Sequence, residues 1–173
     1  MPGPGALRHA TVTLVADGLG LRAQVHGQSF DVVVLGGGPA GLAAAVYASS
    51  EGLGTLVVER FAPGGQAGTS ARIENYLGFP PGLSGAELTR RATLQARKFG
   101  AVISSVHEAS DVSEPEAEGL REIGLADGQR VRGRCVVLAP GADYRRLPAE
   151  NADRFEGLGL YYAATHVEAQ QCS

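Results

Sequence analysis

Six consecutive residues, Gly36-Gly37-Gly38-Pro39-Ala40-Gly41, carry the G-x-G-x-x-G spacing that lets a phosphate approach a peptide backbone. Each position has a physical reason. Gly36 permits a tight turn, Gly38 removes a Cβ from the path of a pyrophosphate, and Gly41 lets a helix lie close on a strand. Pro39 suits a first helical position, and the helix it opens offers Ala40 and its neighbours as unpaired N–H donors at a positive dipole end. Glu59 stands eighteen positions after Gly41, near the ~20 expected for an acid that accepts hydrogen bonds from a ribose diol. Its charge repels a 2′-phosphate, so the pattern favours FAD or NAD over NADP. In a chain with 25 glycines among 173 residues the bare spacing arises easily by chance. The competing reading is a strand–turn–helix junction whose glycines serve packing alone.

The elements around the motif favour the nucleotide. Asp31 to Leu35 is a β-branched apolar run, as a strand buried on both faces requires. Ala40 to Ser50 is small and apolar and reads as a helix, with Gly52 placed to end it. Thr55 to Glu59 reads as a second buried strand, completing a crossover of ~30 residues. Arg60 to Gly82 is rich in Gly and Pro without sustained period, and irregular loops of that length are usually functional or disordered. Ser84-Gly85-Ala86-Glu87 reads as a capping box opening a helix to about Phe99, with Leu88, Ala92 and Phe99 on its apolar stripe. Ala101 to Ile103 reads as a short strand, and the acidic stretch from Glu108 to Glu118 as a solvated loop. Asp127-Gly128 is a hairpin turn signal. The returning segment leads into Cys135-Val136-Val137-Leu138, a buried-type strand that makes Cys135 a small core residue. The first thirty residues alternate weakly about Asp17-Gly18 and read as a peripheral leader or a hairpin.

Longer stretches resemble the flavin domain of thioredoxin reductase-like flavoproteins, which belong to the pyridine nucleotide-disulfide oxidoreductases. Asp31 to Ala48 resembles the start of that domain. Pro63-Gly64-Gly65-Gln66 and Ile73-Glu74-Asn75-Tyr76 resemble its flavin-loop motifs, and Leu138-Ala139-Pro140-Gly141-Ala142 resembles its A-T-G-A turn, with Pro140 in place of threonine. The resemblance covers roughly Asp31 to Cys172. It implies an α/β, Rossmann-like FAD-binding fold: a central parallel sheet with helices and an antiparallel β-meander, incomplete at the C-terminus. Residues 31–150 would be the N-terminal part of the FAD-binding domain, and 151–173 a connector toward an absent NAD(P)H-binding domain. It implies that Gly36, Gly38, Pro39, Ala40 and Gly41 face the FAD pyrophosphate and that Glu59 holds the adenosine ribose. Gly64, Gly65, Gln66 and Asn75 would line the flavin side, and Gly141 and Ala142 would close the pocket. The implied function is the FAD-binding portion of an NAD(P)H-dependent oxidoreductase, with hydride passing from nicotinamide to flavin and on to an unidentified acceptor. Members of the family are commonly homodimers.

Two other readings stand beside this one. One is a truncated, non-catalytic chain that binds flavin weakly or not at all, since a second glycine fingerprint and a returning flavin segment would be expected after Cys172. The other is an NAD-binding dehydrogenase module, against which the Gly64-Gly65-Gln66 loop argues. Net charge is −3, which gives no long-range attraction to nucleic acid or an anionic membrane. The uncharged run from Val32 to Ser50 is interrupted by three glycines and Pro39, which disfavours a membrane span. Two cysteines, far apart, suggest neither a disulfide scaffold nor a metal knuckle, and a reduced cytoplasmic setting is the expectation.

In thioredoxin reductases a C-x-x-C pair relays electrons from flavin to substrate. The corresponding stretch here is Ala163-Ala164-Thr165-His166, which cannot form a disulfide. His166 is the candidate catalytic residue left there, as a proton donor near the flavin, against the commoner structural role of a lone histidine. The expectation is that a parent enzyme does not reduce thioredoxin by this route. Thiol titration before and after dithionite should reveal no redox-linked pair. A Cys135–Cys172 disulfide that cycles with flavin reduction would overturn that expectation.

Overall fold

A computed structural model describes residues 11–115, 119–143, 145–156 and 158–162. The chain divides into two compact units, Met1–Gly141 and Ala142–Ser173. The first holds helix α1 (Val12–Gly18), strand β1 (Ser29–Leu35), helix α2 (Pro39–Ser50), strand β2 (Thr55–Glu59), a 3-10 turn (Gly65–Thr69) and helix α3 (Gly85–Lys98). Strands β3 (Val102–Ser105), β4 (Ala109–Val112), β5 (Arg121–Leu125) and β6 (Arg130–Leu138) follow. The second unit contains a 3-10 turn over Ala152–Phe155. No helix among the described residues is long and apolar enough to cross a membrane.

One six-stranded sheet, in the order β3-β2-β1-β6-β5-β4, organises the first unit. Strands β3, β2, β1 and β6 are parallel, while β6, β5 and β4 form an antiparallel meander. The alternation of side chains along a strand sorts the core. Val32, Val34 and Val57 pack with Leu42 and Ala45 of α2 and Ala96 of α3. Val33, Leu56 and Val58 pack on the other side with Ile123, Leu125 and Val131 of the meander. Strand β6 belongs to both halves of the sheet. Gly133 is in register with Phe30 of β1 and with Arg121 of β5. A Cβ there would lie 2.8 Å from a methyl of Val33, so only glycine allows this double pairing without a shift.

Several local expectations are corrected. The weak alternation after Thr11 forms α1, not a hairpin strand, because the Thr11 hydroxyl accepts the N–H of Leu14 and starts a helix. Half of the capping box forms: Ser84 Oγ accepts the N–H of Glu87 at 3.2 Å. The Glu87 carboxylate instead bonds Arg90 and Arg91 one turn on, and those two guanidinium groups lower its pKa to about 2. Ala96 rather than Phe99 completes the buried stripe of α3, since Phe99 caps the helix and is exposed. Part of the acidic stretch pairs as β4. Cys135 is exposed: it is in register with Val32 of β1, yet neither apolar cluster reaches its side chain.

Residues 21–28 form a strap from the edge of β3 to β6. The N–H of Ser105 donates to Leu21 O, that of Gly27 to Arg130 O, and that of Arg132 to Gln28 O. Val25 is buried in the meander-side core; sinking a valine contributes ~1.5–3 kcal/mol. A polar relay fastens the strap. The N–H of Ala23 donates to Ser104 Oγ, which lies 2.7 Å from His107 Nδ1. His107 Nε2 lies 3.1 Å from Asp127, which also pairs with Arg22. Arg22 in turn bonds Asp17 at 3.0 Å, and the Gln129 amide donates to Asp127 at 2.9 Å. With its proton on Nε2 a neutral imidazole donates to Asp127 and accepts from Ser104 at Nδ1, and the Gln129 amide, 3.1 Å from Nε2, then donates to Asp127 alone.

Burial lowers the pKa of His107 from its ordinary value of 6.5, with Arg22 adding to the effect and Asp127 opposing it. The unfolded chain therefore takes up this proton before the folded chain does. The relay's contribution is complete above the ordinary histidine range and is lost as pH falls below it. The urea midpoint should fall between about pH 7.5 and about pH 5.5, and His107→Gln should flatten that dependence even if it lowers stability throughout. An equal pH slope in the variant would show that the relay does not carry the effect.

Candidate functional site

Two hydrogen bonds join the C-terminal end of β1 to its neighbours. Gly36 N–H donates to Val58 O at 2.9 Å, and Ala139 N–H donates to Leu35 O at 2.8 Å. Gly36 has φ +110°, and the Ala139 carbonyl fills the space a Cβ would need. A Cβ on Gly41 would strike the Gly36 carbonyl, so α2 can begin close against the strand only with glycine there. Gly38 differs from both. Its φ is −73° and its ψ −177°, open to any residue, and nothing lies within 4 Å of its ideal Cβ. Neither backbone strain nor internal packing calls for glycine at this position. The space it leaves lies outside the fold, at the start of α2.

Three backbone donors meet there. The N–H groups of Gly38, Ala40 and Gly41 make no hydrogen bond among the described residues, and the first intrahelical bond runs from Leu42 N–H to Gly38 O at 2.9 Å. Pro39 at the first helical position has no N–H to leave unpaired. The positive end of the helix dipole adds to the field of these donors.

Glu59 ends β2 with its side chain buried. Its Oε2 accepts the N–H of Gly37 at 2.7 Å, and its Oε1 accepts the N–H of Phe61 at 2.8 Å. A buried carboxylate needs such partners. Each oxygen retains acceptor capacity for a further donor. Gly37, an unspecified position of the motif, thus holds the acid against the turn, and a Cβ on it would press on Glu59 at 3.0 Å.

Gly64 N–H donates to Gly37 O at 2.8 Å, bringing the second glycine motif onto the first. An ideal Cβ on Gly65 would lie 3.4 Å from the Cα of Gly38. Gly64, at φ +127°, is fitted against Thr89 of α3, and Gly85 at the start of α3 abuts the Ala67 carbonyl. Sequence reasoning does not single out Gly37, Gly85 or Thr89 as site residues. A glycine beginning a helix just after its serine cap is the one legible signal.

The structure therefore gathers Gly36, Gly38, Pro39, Ala40, Gly41, Glu59, Gly64 and Gly65 around one turn. Gln66 lies exposed in the adjoining 3-10 turn. Asn75 is exposed on the loop beyond. Gly141, at φ +76°, ends the first unit and Ala142 opens the second. His166 and the rest of the Ala163–His166 stretch lie outside the described residues. A cleft of about 360 Å³ lies elsewhere, between α2, α3 and the aromatic loop residues Tyr76 and Phe79. Its lining is mostly apolar, whereas the convergent donors and the buried acid lie at the strand ends.

The arrangement can receive a diphosphate on three N–H groups beside an acid able to accept from a diol. This matches the chemistry of a dinucleotide on a doubly wound sheet. The empty space at Gly38 is the cradle a Cβ would fill, so the residues fit such a group.

The sequence profile of the pyridine nucleotide-disulphide oxidoreductases matches residues 30–171. Thioredoxin reductase of Bacillus subtilis (strain 168) is 35% identical over 137 residues, covering 78% of this chain and 41% of the relative. Thioredoxin reductase of Listeria monocytogenes is 34% identical over 137 residues, again covering 78% of this chain and 41% of the relative. Among solved structures, thioredoxin reductase of T. acidophilum superposes with a TM-score of 0.67 at 28% identity, over 76% of this chain and 42% of that one. The chain thus spans about two fifths of the length of the thioredoxin reductases it matches. The observed sheet agrees with the expected α/β fold.

The steric contrast within the motif has a direct consequence for ligand-free protein. Gly36→Ala should cost at least ~1–3 kcal/mol, from left-handed strain and from the blocked space at Ala139. Gly38→Ala should cost clearly less, about 0.5–1 kcal/mol, the loss of a glycine N-cap alone. Denaturant midpoints measure both, and equal losses would mean that Gly38, like Gly36, is required by the fold itself.

Proposed function

The chain belongs to the pyridine nucleotide-disulphide oxidoreductase family, and from that premise we propose that residues 31–150 bind FAD for an NAD(P)H-dependent, thioredoxin reductase-like oxidoreductase. The observation that carries the proposal is the set of free N–H groups on Gly38, Ala40 and Gly41, open to the unfilled space at Gly38 and next to Glu59. In this reading the three donors hold the pyrophosphate, and the charge of Glu59 accepts from the ribose hydroxyls while rejecting a 2′-phosphate. Gly64 and Gly65, with Gln66 beside them, form the floor on the flavin side, and the missing side chains permit close approach. Gly141, at the end of the first unit, would close the pocket, Asn75 would add a polar group to the flavin side, and His166 would serve as a proton donor. When bound, the flavin supplies an acceptor for hydride from NAD(P)H and a donor to the next acceptor; the protein supplies binding, orientation and tuning. Residues 151–173 would lead toward the nicotinamide-binding part of the enzyme.

The dehydrogenase alternative is weakened by the hydrogen bond from Gly64 to Gly37. A simple NAD site needs no second glycine loop lying against its phosphate turn. The purified chain, mixed with FAD and freed of unbound ligand, should retain a flavin absorption spectrum. Gly38→Val should abolish retention while remaining folded, because its side chain would occupy the phosphate space. Equal flavin content in the variant and the parent would refute the assignment.

A further inference from the structure

The segment from Glu59 to Gly64 is a short arc held at both ends to one residue. The Glu59 carboxylate accepts from Gly37 N–H, and Gly64 N–H donates to Gly37 O. Phe61 lies on this arc. Its own N–H is bound to the Glu59 carboxylate, yet the residue is 68% exposed and belongs to neither core cluster. The contact made by the ring is with the Arg60 guanidinium, whose central carbon stands 4.9 Å from the ring centroid. Arg60 also pairs with Glu108, its Nε 3.4 Å from the carboxylate. Single exposed apolar residues are common on protein surfaces. This one is set apart by its bond to the acid of the nucleotide site and by the planar cation held against its ring.

In an adenosine, the base is joined to the ribose carbon adjacent to the diol. A diol bound to Glu59 therefore leaves its base within one sugar ring of the carboxylate, in the neighbourhood that Phe61 occupies. Adenine has a flat π-face and needs a hydrophobic or aromatic surface more than a charged one. We propose that the Phe61 ring is a stacking platform for the adenine of the bound dinucleotide, with Arg60 holding the ring in place. This rests on the FAD reading above and adds a residue that selects the adenine-bearing flavin over a flavin mononucleotide. Phe61 is a ligand-contacting residue in this assignment, and Arg60 a positioning residue.

The chain contains no tryptophan, so Phe61→Trp would carry a single fluorescent reporter at the platform. ADP is the probe, since it brings adenine, ribose and diphosphate without a flavin that would quench by energy transfer. Saturating ADP should quench the Phe61→Trp emission. By calorimetry, Phe61→Ala should weaken both ADP and FAD by about tenfold to a hundredfold, with Phe61→Tyr close to the parent. FMN binding should be unaffected by any of the three substitutions. Unchanged ADP and FAD affinities in Phe61→Ala, or an emission unmoved by saturating ADP, would overturn the platform. If FAD is retained and is lost on Gly38→Val, such a result removes the platform alone. If the parent retains no FAD, the flavin reading fails and the platform fails with it.

Discussion

A carboxylate at the buried end of a strand has to be given donors, and the way Glu59 obtains them organises the site. One oxygen takes the N–H of Gly37 and the other takes the N–H of Phe61. The first bond ties β2 to the turn after β1, and the second bends the outgoing chain back over the strand ends. Because the carbonyl of Gly37 simultaneously receives Gly64 N–H, the flavin-type loop is drawn onto the same residue. The peptide groups on either side of Gly37 thus hold both ends of the Glu59–Gly64 arc to a turn far upstream in sequence. Low dielectric strengthens each of these bonds, and it would make any of them expensive to leave unmade.

The sheet supplies the rigidity that this junction requires. Parallel pairing of β1 with both β2 and β6 sets the glycine turn between two strand ends, where an open α/β sheet forms its crevice. The Ala139 carbonyl presses on Gly36 from one side, and α2 presses through Gly41 from another. Little freedom remains in the turn before a ligand arrives. A preorganised set of N–H donors loses less on binding than one that must be assembled. The helical face and the meander face each contribute a continuous apolar cluster, so the strand ends are supported from both sides.

The strap obeys a different physics. It lies largely ahead of the residues matched by the family profile, which begin at 30. Val25 gives it an apolar anchor, but its polar attachment runs through a buried imidazole whose proton count is tied to pH. A protein can carry such an attachment away from its nucleotide turn because the sheet edge at β3 otherwise presents open backbone groups, which Leu21 partly covers.

Much of this was determined by the sequence itself, through forces that act over a few neighbouring residues. The apolar run into β1, the small residues of α2, Pro39 at its first position and Gly52 at its end specify strand, turn and helix locally. The extent of β2 and the Asp127-Gly128 hairpin turn were legible for the same reason. Tertiary structure alone decided what lay beyond that range. Whether a glycine serves the fold or leaves room for a ligand depends on atoms brought from elsewhere: Ala139 beside Gly36, and nothing beside Gly38. The importance of Gly37 follows from a carboxylate twenty-two positions away, and the exposure of Cys135 from its lying beyond both apolar clusters. The Ser104–His107–Asp127 relay had no motif to announce it, because its members meet only when the strap, β3 and the β5–β6 hairpin are packed together. Backbone conformation is governed by near neighbours, whereas close approach and burial are properties of segments that the chain brings together only on folding.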